Sequence, residues 1–466
     1  RVRPHQSMAR AQMILAVALA VLAQLAGAVG VWTDAGSMPI ISEQYTVTDH
    51  CVSTTQMIMV YASPSNGYPY TKEFTGGVWS TKGGAPLSVS AKAVSCAIDP
   101  ATETIYYAYV SDGATPRFYM SYWTGSGWST STTSMDNIDS MKIVWNAADS
   151  TVYAIVGRDG TGSGKVILYK KVGSSWEMVG SSGAETNAIS PLVSAVPGVY
   201  NNKPRVDFDS ANNPWIAATV TSGGDQAMVR YFDGSSWDAT SSIIASGYDS
   251  QVVVTSEDRV FHSCREDGQL YAVVRELVDG SWNAVGGTVT YGSGATTQET
   301  RLIAVGAVPV LVFGGSISPV IRAFALNLNS LTWVDLGGTG TSPRAMHSTA
   351  GHVEVAYDET SMHILFSGPA LYPRWHYTVA DCSSVGCDVS HSTCGLGDQC
   401  VCEAGWGGNT LCSAFSCDTP CDATHGVCTG PNTCSCDPGW TGDAVCSTFS
   451  CDVACDHGTC TGPEIG

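Results

Sequence analysis

The sequence predicts an all-β protein. Seven four-stranded units are expected to close into a ring through a strand near the N-terminus, followed by small disulfide-stapled modules. Three observations carry this reading. A Trp recurs seven times after a turn between Val31 and Val379. Paired apolar strands joined by an Asp or Asn turn recur with it. Fifteen of the 18 cysteines fall between Cys382 and Cys460.

The chain has 466 residues, enough for one large domain and several small ones. Its 50 glycines and 14% charged residues suit a turn-rich β chain. The formal net charge of -19 repels phosphate backbones and anionic lipid, so neither nucleic acid nor a membrane surface is an expected partner.

The first segment reads as an export signal. Arg1 to Ser7 precede Met8, the expected true start. Arg10 leads into an apolar run from Met13 to Leu25, and Ala26-Gly27-Ala28 offers small residues for cleavage before Val29. The run is shorter than the roughly 20 residues of a membrane span, so 1–28 is expected to be removed on secretion. No later segment is long and apolar enough to span a bilayer.

The repeat follows. Turns ending in Trp occur at Trp32, Trp79, Trp128, Trp176, Trp237, Trp282 and Trp333, spaced 45 to 61 residues apart. Paired-strand blocks begin at Ser95, Lys142 and Arg205, with weaker copies at Thr46, Val252, Leu302 and Val353. A third strand comes next, as from Phe118, Lys165 and Ala227. Four short strands in about 45 residues is the size of a β-propeller blade. The expected fold of 29–380 is therefore a seven-bladed β-propeller. Six or eight blades, or a pair of β-sandwiches, also fit the periodicity.

The phase of the repeat predicts closure. The chain enters at a fourth-strand motif around Trp32 and leaves after a third strand from Tyr372. Trp32 is expected to complete the last blade, which removes exposed sheet edges. Each repeating Trp is expected to pack between neighbouring sheets, burying on the order of 200 Å². Asp99, Asn146, Asp209 and Asp358 are expected to cap their own turns through side-chain hydrogen bonds. Asp207 and Asp209 lack the further acidic ligands that calcium needs.

The DGSSW turns resemble the Asp-box of sialidase-type propellers. The stretch from Thr332 to His352, with VFGG at Val312, is similar to a Kelch repeat. Neither pattern covers all seven units, so the resemblance implies a fold and no activity.

The tail repeats a cysteine framework. One module holds Cys382, Cys387, Cys394, Cys400, Cys402 and Cys412; the next holds Cys417, Cys421, Cys428, Cys434, Cys436 and Cys446. In both, one residue separates the fourth and fifth cysteines, and C-x-x-G-W-x-G follows through Trp406 or Trp440. Spacing alone leaves the connectivity open. These motifs resemble EGF-like modules, at 381–413 and 414–447. That resemblance implies the bridges Cys382–Cys394, Cys387–Cys400 and Cys402–Cys412, then Cys417–Cys428, Cys421–Cys434 and Cys436–Cys446. A third module begins in 448–466 with Cys451, Cys455 and Cys460, and is expected to continue in a longer protein.

Units of about 30 residues bury too little apolar surface to fold unaided, so these cysteines are expected as cystines in an oxidising compartment. Zinc is not expected, because the spacing is not paired C-x-x-C. Calcium is not expected either, because no acidic run precedes Cys382 or Cys417. In the large domain Cys51 and Cys96 are expected to pair, leaving Cys264.

Motifs for chemistry are sparse. There is no H-E-x-x-H and no nucleophile elbow, and GTGSGKV from Gly160 reads as a hairpin turn. No catalytic residue, cofactor or metal is therefore expected. Arg117, Arg158 and Arg265, with Asp112, Asp159 and Asp267 nearby, fall at second-to-third-strand loops and are the candidate ligand contacts. His347, His352 and His376 read as structural. The expected function is non-catalytic extracellular recognition or adhesion, with a protein or glycan partner. The alternatives are a carbohydrate-binding lectin and a sialidase-type glycoside hydrolase. Propellers joined to EGF-like modules resemble cell-surface or matrix adhesion proteins.

Overall fold

The computed structural model describes residues 31–34, 164–180, 189–192, 204–220, 226–238, 242–266, 271–290, 298–315, 353–357, 361–366 and 374–378. With short gaps it also describes 48–158, 322–336 and 386–448. The expected signal segment, the third module and Asp358 lie outside these residues. Every regular element among the described residues is a β-strand. The chain divides into two compact units, one spanning Val31–Asn327 and Leu331–Thr378, the other holding Val379–Gly466.

The larger unit is built from antiparallel meanders in which strands rich in Val, Ile, Tyr and Thr are separated by Gly, Asp and Asn turns. β1 (Val31–Asp34) belongs to the last of them. The first meander is β2 (Thr48–Val52), β3 (Met57–Ala62), β4 (Pro69–Thr75) and β5 (Val78–Thr81). The second is β6 (Ala91–Asp99), β7 (Thr104–Ser111), β8 (Arg117–Trp123) and β9 (Trp128–Asp136). The third is β10 (Ile138–Asn146), β11 (Thr151–Arg158), β12 (Gly164–Val172) and β13 (Ser175–Met178), with β14 (Ile189–Leu192) pairing on β12.

The fourth meander comprises β15 (Arg205–Phe208), β16 (Pro214–Val220), β17 (Gln226–Tyr231) and the first half of β18 (Ser242–Val254). The second half of β18 opens the fifth, which continues through β19 (Val260–Glu266), β20 (Tyr271–Val278) and β21 (Ser281–Thr290). The sixth is β22 (Gln298–Val305), β23 (Val308–Gly315), β24 (Arg322–Asn327) and β25 (Thr332–Asp335). The last is β26 (Val353–Tyr357), β27 (Ser361–Phe366) and β28 (Arg374–Thr378), with β1 as its fourth strand. Trp32 lies opposite Tyr377, and Asp34 opposite Trp375.

Two features differ from the sequence reading. The fourth, fifth and sixth meanders are not separate sheets: β18 runs from the fourth into the fifth, and a parallel bridge between Gly286 of β21 and Thr332 of β25 joins the fifth to the sixth, giving one 11-stranded sheet. Trp237 does not begin a fourth strand; it makes an isolated bridge to Phe232, and the strand comes later, as the start of β18. The Asp233 carboxylate explains this. It accepts the Ser235 and Ser236 N–H groups, winding DGSSW into a tight turn that Trp237 closes.

The first strands meet in a closed order: β2 touches β6, then β10, β15, β18, β22 and β26, which touches β2 again. The turns after them also interlock. Glu103 accepts hydrogen bonds from Ser53 and Gln56 of the previous meander, and Asp258 accepts the Ser210 N–H. Asp99, Asn146 and Asp209 cap their own turns, accepting from the N–H of Ala101, Ala148 and Asn213.

The core lies between neighbouring meanders. Ile58 and Val60 of the first pack with Val94, Ile105 and Tyr107 of the second, and Trp123 and Trp128 cover this cluster. Trp176, Trp237 and Trp282 do the same at the next three contacts. Cys51 and Cys96, on adjacent first strands, are joined by a disulfide, and Cys264 is a buried free thiol.

The cysteine-rich unit contains two hairpins, β29 (Ser392–Gly395) with β30 (Gln399–Cys402), and β31 (Gly426–Gly430) with β32 (Thr433–Cys436). Its disulfides are Cys387–Cys400, Cys402–Cys412, Cys417–Cys428, Cys421–Cys434 and Cys436–Cys446. The expected Cys382–Cys394 pair falls outside the described side chains. In each module a His lies flat on the Trp of the G-W motif: His391 on Trp406 and His425 on Trp440, both with ring centroids 3.5 Å apart. The modules are tied to each other, since Ser416 donates its N–H to the Gly405 carbonyl and accepts the Asn432 N–H on its own.

Candidate functional site

A first strand is the edge of its meander, so one row of its backbone groups finds no partner within the sheet. Polar side chains from the neighbouring first strand meet them. Asp49 accepts the Cys96 N–H at 3.2 Å, and Ser95 accepts the Ile143 N–H at 3.1 Å. Asp207 accepts the Val254 N–H at 2.8 Å, Asp249 the Thr300 N–H at 2.8 Å, and Gln251 the Leu302 N–H at 3.0 Å. The Gln251 amide also donates to the Thr300 carbonyl. Polar residues are thus built into otherwise apolar strands.

Four of these strands enclose a cavity of about 290 Å³. β10 supplies Lys142, Val144 and Trp145; β15 supplies Arg205 through Phe208; β18 supplies Gln251, Val252 and Val253; β22 supplies Arg301 through Ala304. Period-2 alternation aims every other residue of a strand at the same face, so one or two polar groups per strand reach the wall.

The charged groups are held by partners. Lys142 Nζ lies 2.7 Å from both carboxylate oxygens of Asp49, which is buried and also accepts the Ser95 hydroxyl at 2.6 Å. Arg301 donates to the Thr300 carbonyl at 2.8 Å and sits 3.8 Å from Asp249. Among the described residues Asp207 is the one carboxylate lining the cavity. Burial pushes it up to about 6, against the opposing pull of the Val254 and Phe208 N–H groups. Trp145 and Phe208 also border it, but their rings pack into the cores between meanders, Trp145 on Tyr106 and Phe208 on Tyr153.

The arginines expected from the sequence lie elsewhere. Arg117 pairs with the Asp136 carboxylate at 3.0 Å, and Arg158 donates to the Asp136 carbonyl at 3.0 Å, so the structure brings these two together on one residue. Arg265 is buried in β19, opposite Tyr248 and Ala272. None of the three lines the cavity. Asp112 sits in the turn between β7 and β8, while Asp159 and Asp267 fall outside the described residues.

For metals, the one close group of ligand-type side chains among the described residues is Cys417, Cys421 and Cys428. All three are consumed in disulfides, which leaves no thiolate to bind an ion.

No family model and no curated protein matches this chain. Solved structures are similar to this chain at low identity. SapL1 lectin bound to α-methyl fucoside is 13% identical, with a TM-score of 0.43 over 65% of this chain and 99% of that one. A Hadza microbial sialidase is 12% identical, with a TM-score of 0.42 over 67% and 73%. A fungal alcohol oxidase with copper is 11% identical, with a TM-score of 0.48 over 79% of each chain.

Proposed function

We propose that this chain is a secreted, non-catalytic recognition protein, in which a seven-bladed β-propeller (29–380) binds a glycan and EGF-like modules (381–413, 414–447 and the start of another in 448–466) form a stiff spacer. The propeller reading is supported by the closed order of the first strands, by cores shared between neighbouring meanders, and by the pairing of β1 with β28. The matched cystine frameworks and the hydrogen bonds linking the two modules support the spacer. Multiple cystines fit an oxidising, extracellular setting. Among the described residues no helix is long and apolar enough to cross a membrane.

The observation that carries the glycan reading is the cavity on the first strands. It combines apolar Val, Leu and Ile surface with amide, guanidinium, ammonium and carboxylate groups on a rigid scaffold, the chemistry that fixes a polar ring ligand. Its size, at the low end for ligand pockets, suits a single sugar unit. Glycoside hydrolysis ordinarily uses two carboxyl groups, and among the described residues this wall offers Asp207 alone, which favours binding over turnover.

The test is a glycan array probed with the purified chain, paired with a hydrolysis assay on whatever binds. Binding without turnover, weakened by Arg205→Ala, is expected. A silent array, or turnover of a bound glycoside, contradicts the reading.

A further inference from the structure

We propose that the cavity selects a sugar that carries a carboxylate, an inference that rests on the glycan reading above. Acidic residues outnumber basic ones almost two to one in the chain, with 41 Asp and Glu against 22 Lys and Arg. The cavity wall reverses that ratio. Among the described residues, Lys142, Arg205 and Arg301 reach it from three different strands, against Asp207 alone.

The cations are fixed in place by acids behind the wall. Lys142 uses two of its three N–H donors on Asp49, leaving a third. Arg301 is anchored by the Thr300 carbonyl and the nearby Asp249. Side chains held this way lose little freedom on meeting a ligand, which favours binding. Asp207 is turned onto the backbone, its two oxygens accepting the Phe208 and Val254 N–H groups. Guanidinium groups recognise carboxylates with geometric selectivity.

The experiment compares acidic methyl glycosides (a sialoside, a glucuronide and a galacturonide) with their uncharged methyl esters, and with acetate. Binding to the purified full chain is measured by calorimetry. At least one acid is expected to bind about tenfold more tightly than its own ester, and more tightly than acetate. Arg205→Gln is expected to erase that preference, while Arg117→Gln, outside the cavity, keeps it. Equal binding of acid and ester overturns the carboxylate inference and leaves the glycan reading standing. Acetate binding as tightly as the sugar acids overturns it as well. A preference that survives Arg205→Gln removes the cavity as its source. Failure of every glycoside and ester to bind overturns both readings.

Discussion

Trp128 donates its indole N–H to the Lys82 carbonyl, 3.1 Å away, and its ring lies against Gly83. The two belong to successive meanders, so this contact fastens one sheet to the next. Gly83 has φ +71°, and a Cβ there would lie 2.9 Å from both Trp128 Nε1 and Trp123 Cζ3. Trp237 repeats the arrangement, bonding the Val179 carbonyl at 3.2 Å over Gly180, which has φ +80°. Gly286 lies against Trp333 in the same way. Left-handed backbone and close indole contact both demand glycine.

Gly83→Ala and Gly180→Ala are each expected to cost about 1–3 kcal/mol, through backbone strain and overpacking. Gly84→Ala, where an added Cβ meets nothing within 4 Å, is the control and stays within about 0.5 kcal/mol of wild type. Urea denaturation measures all three. A neutral Gly83→Ala contradicts the fastening role.

The Cys51–Cys96 bridge closes a loop across adjacent first strands, with a sequence separation of 45 residues. Replacing both cysteines with Ala is expected to cost about 2–5 kcal/mol. A non-reduced peptide map should recover these two residues linked. Cys264 should resist alkylation until the protein unfolds, since burial hides the thiol and pushes its pKa up to about 11.

Two buried groups give opposite pH slopes. Burial, and then the charge of Arg275, pushes His262 down to about 3 from 6.5. The unfolded chain therefore binds the proton first, and this stability is complete above pH 6.5 and lost as pH falls toward 3. Burial pushes Asp207 up to about 6 from 3.8, so the folded state holds its proton longer, and stability falls as pH rises between those values. Unfolding free energies measured between pH 4 and 7 (about the range of both groups) should show a flatter acid limb for His262→Gln. Asp207→Asn should remove the opposing slope. A His262→Gln curve parallel to wild type contradicts the assignment.

The repeat was readable because Trp and Cys are rare residues with positions set by packing and bonding. The glycine partners carried a readable signal too. Trp79, Trp176 and Trp282 are each followed four residues later by the glycine that receives the next Trp, at Gly83, Gly180 and Gly286. The D-x-x-H spacing of Asp388 with His391 and Asp422 with His425 likewise marks the stacked histidines. The cavity was not readable. Lys142, Asp207, Gln251 and Arg301 lie on separate strands, and each alone is one polar residue in an alternating pattern. Only the packing of first strand on first strand collects them. Arg117 and Arg158 drew attention as loop charges, yet both are engaged with Asp136.

Closure of the ring by the N-terminal strand is the central claim of the proposed propeller. Thr33 and His376 are directly opposite in the pairing of β1 with β28, so their Cα atoms lie within disulfide range at about 4.5–5.5 Å. The deciding measurement is the yield of an intramolecular cross-link in Thr33→Cys/His376→Cys, mapped by mass spectrometry. The register-shifted pair Thr33→Cys/Arg374→Cys serves as its control. Closure predicts near-complete linkage in the first protein and little in the second. Equal yields, or no link between the two strands, would contradict it.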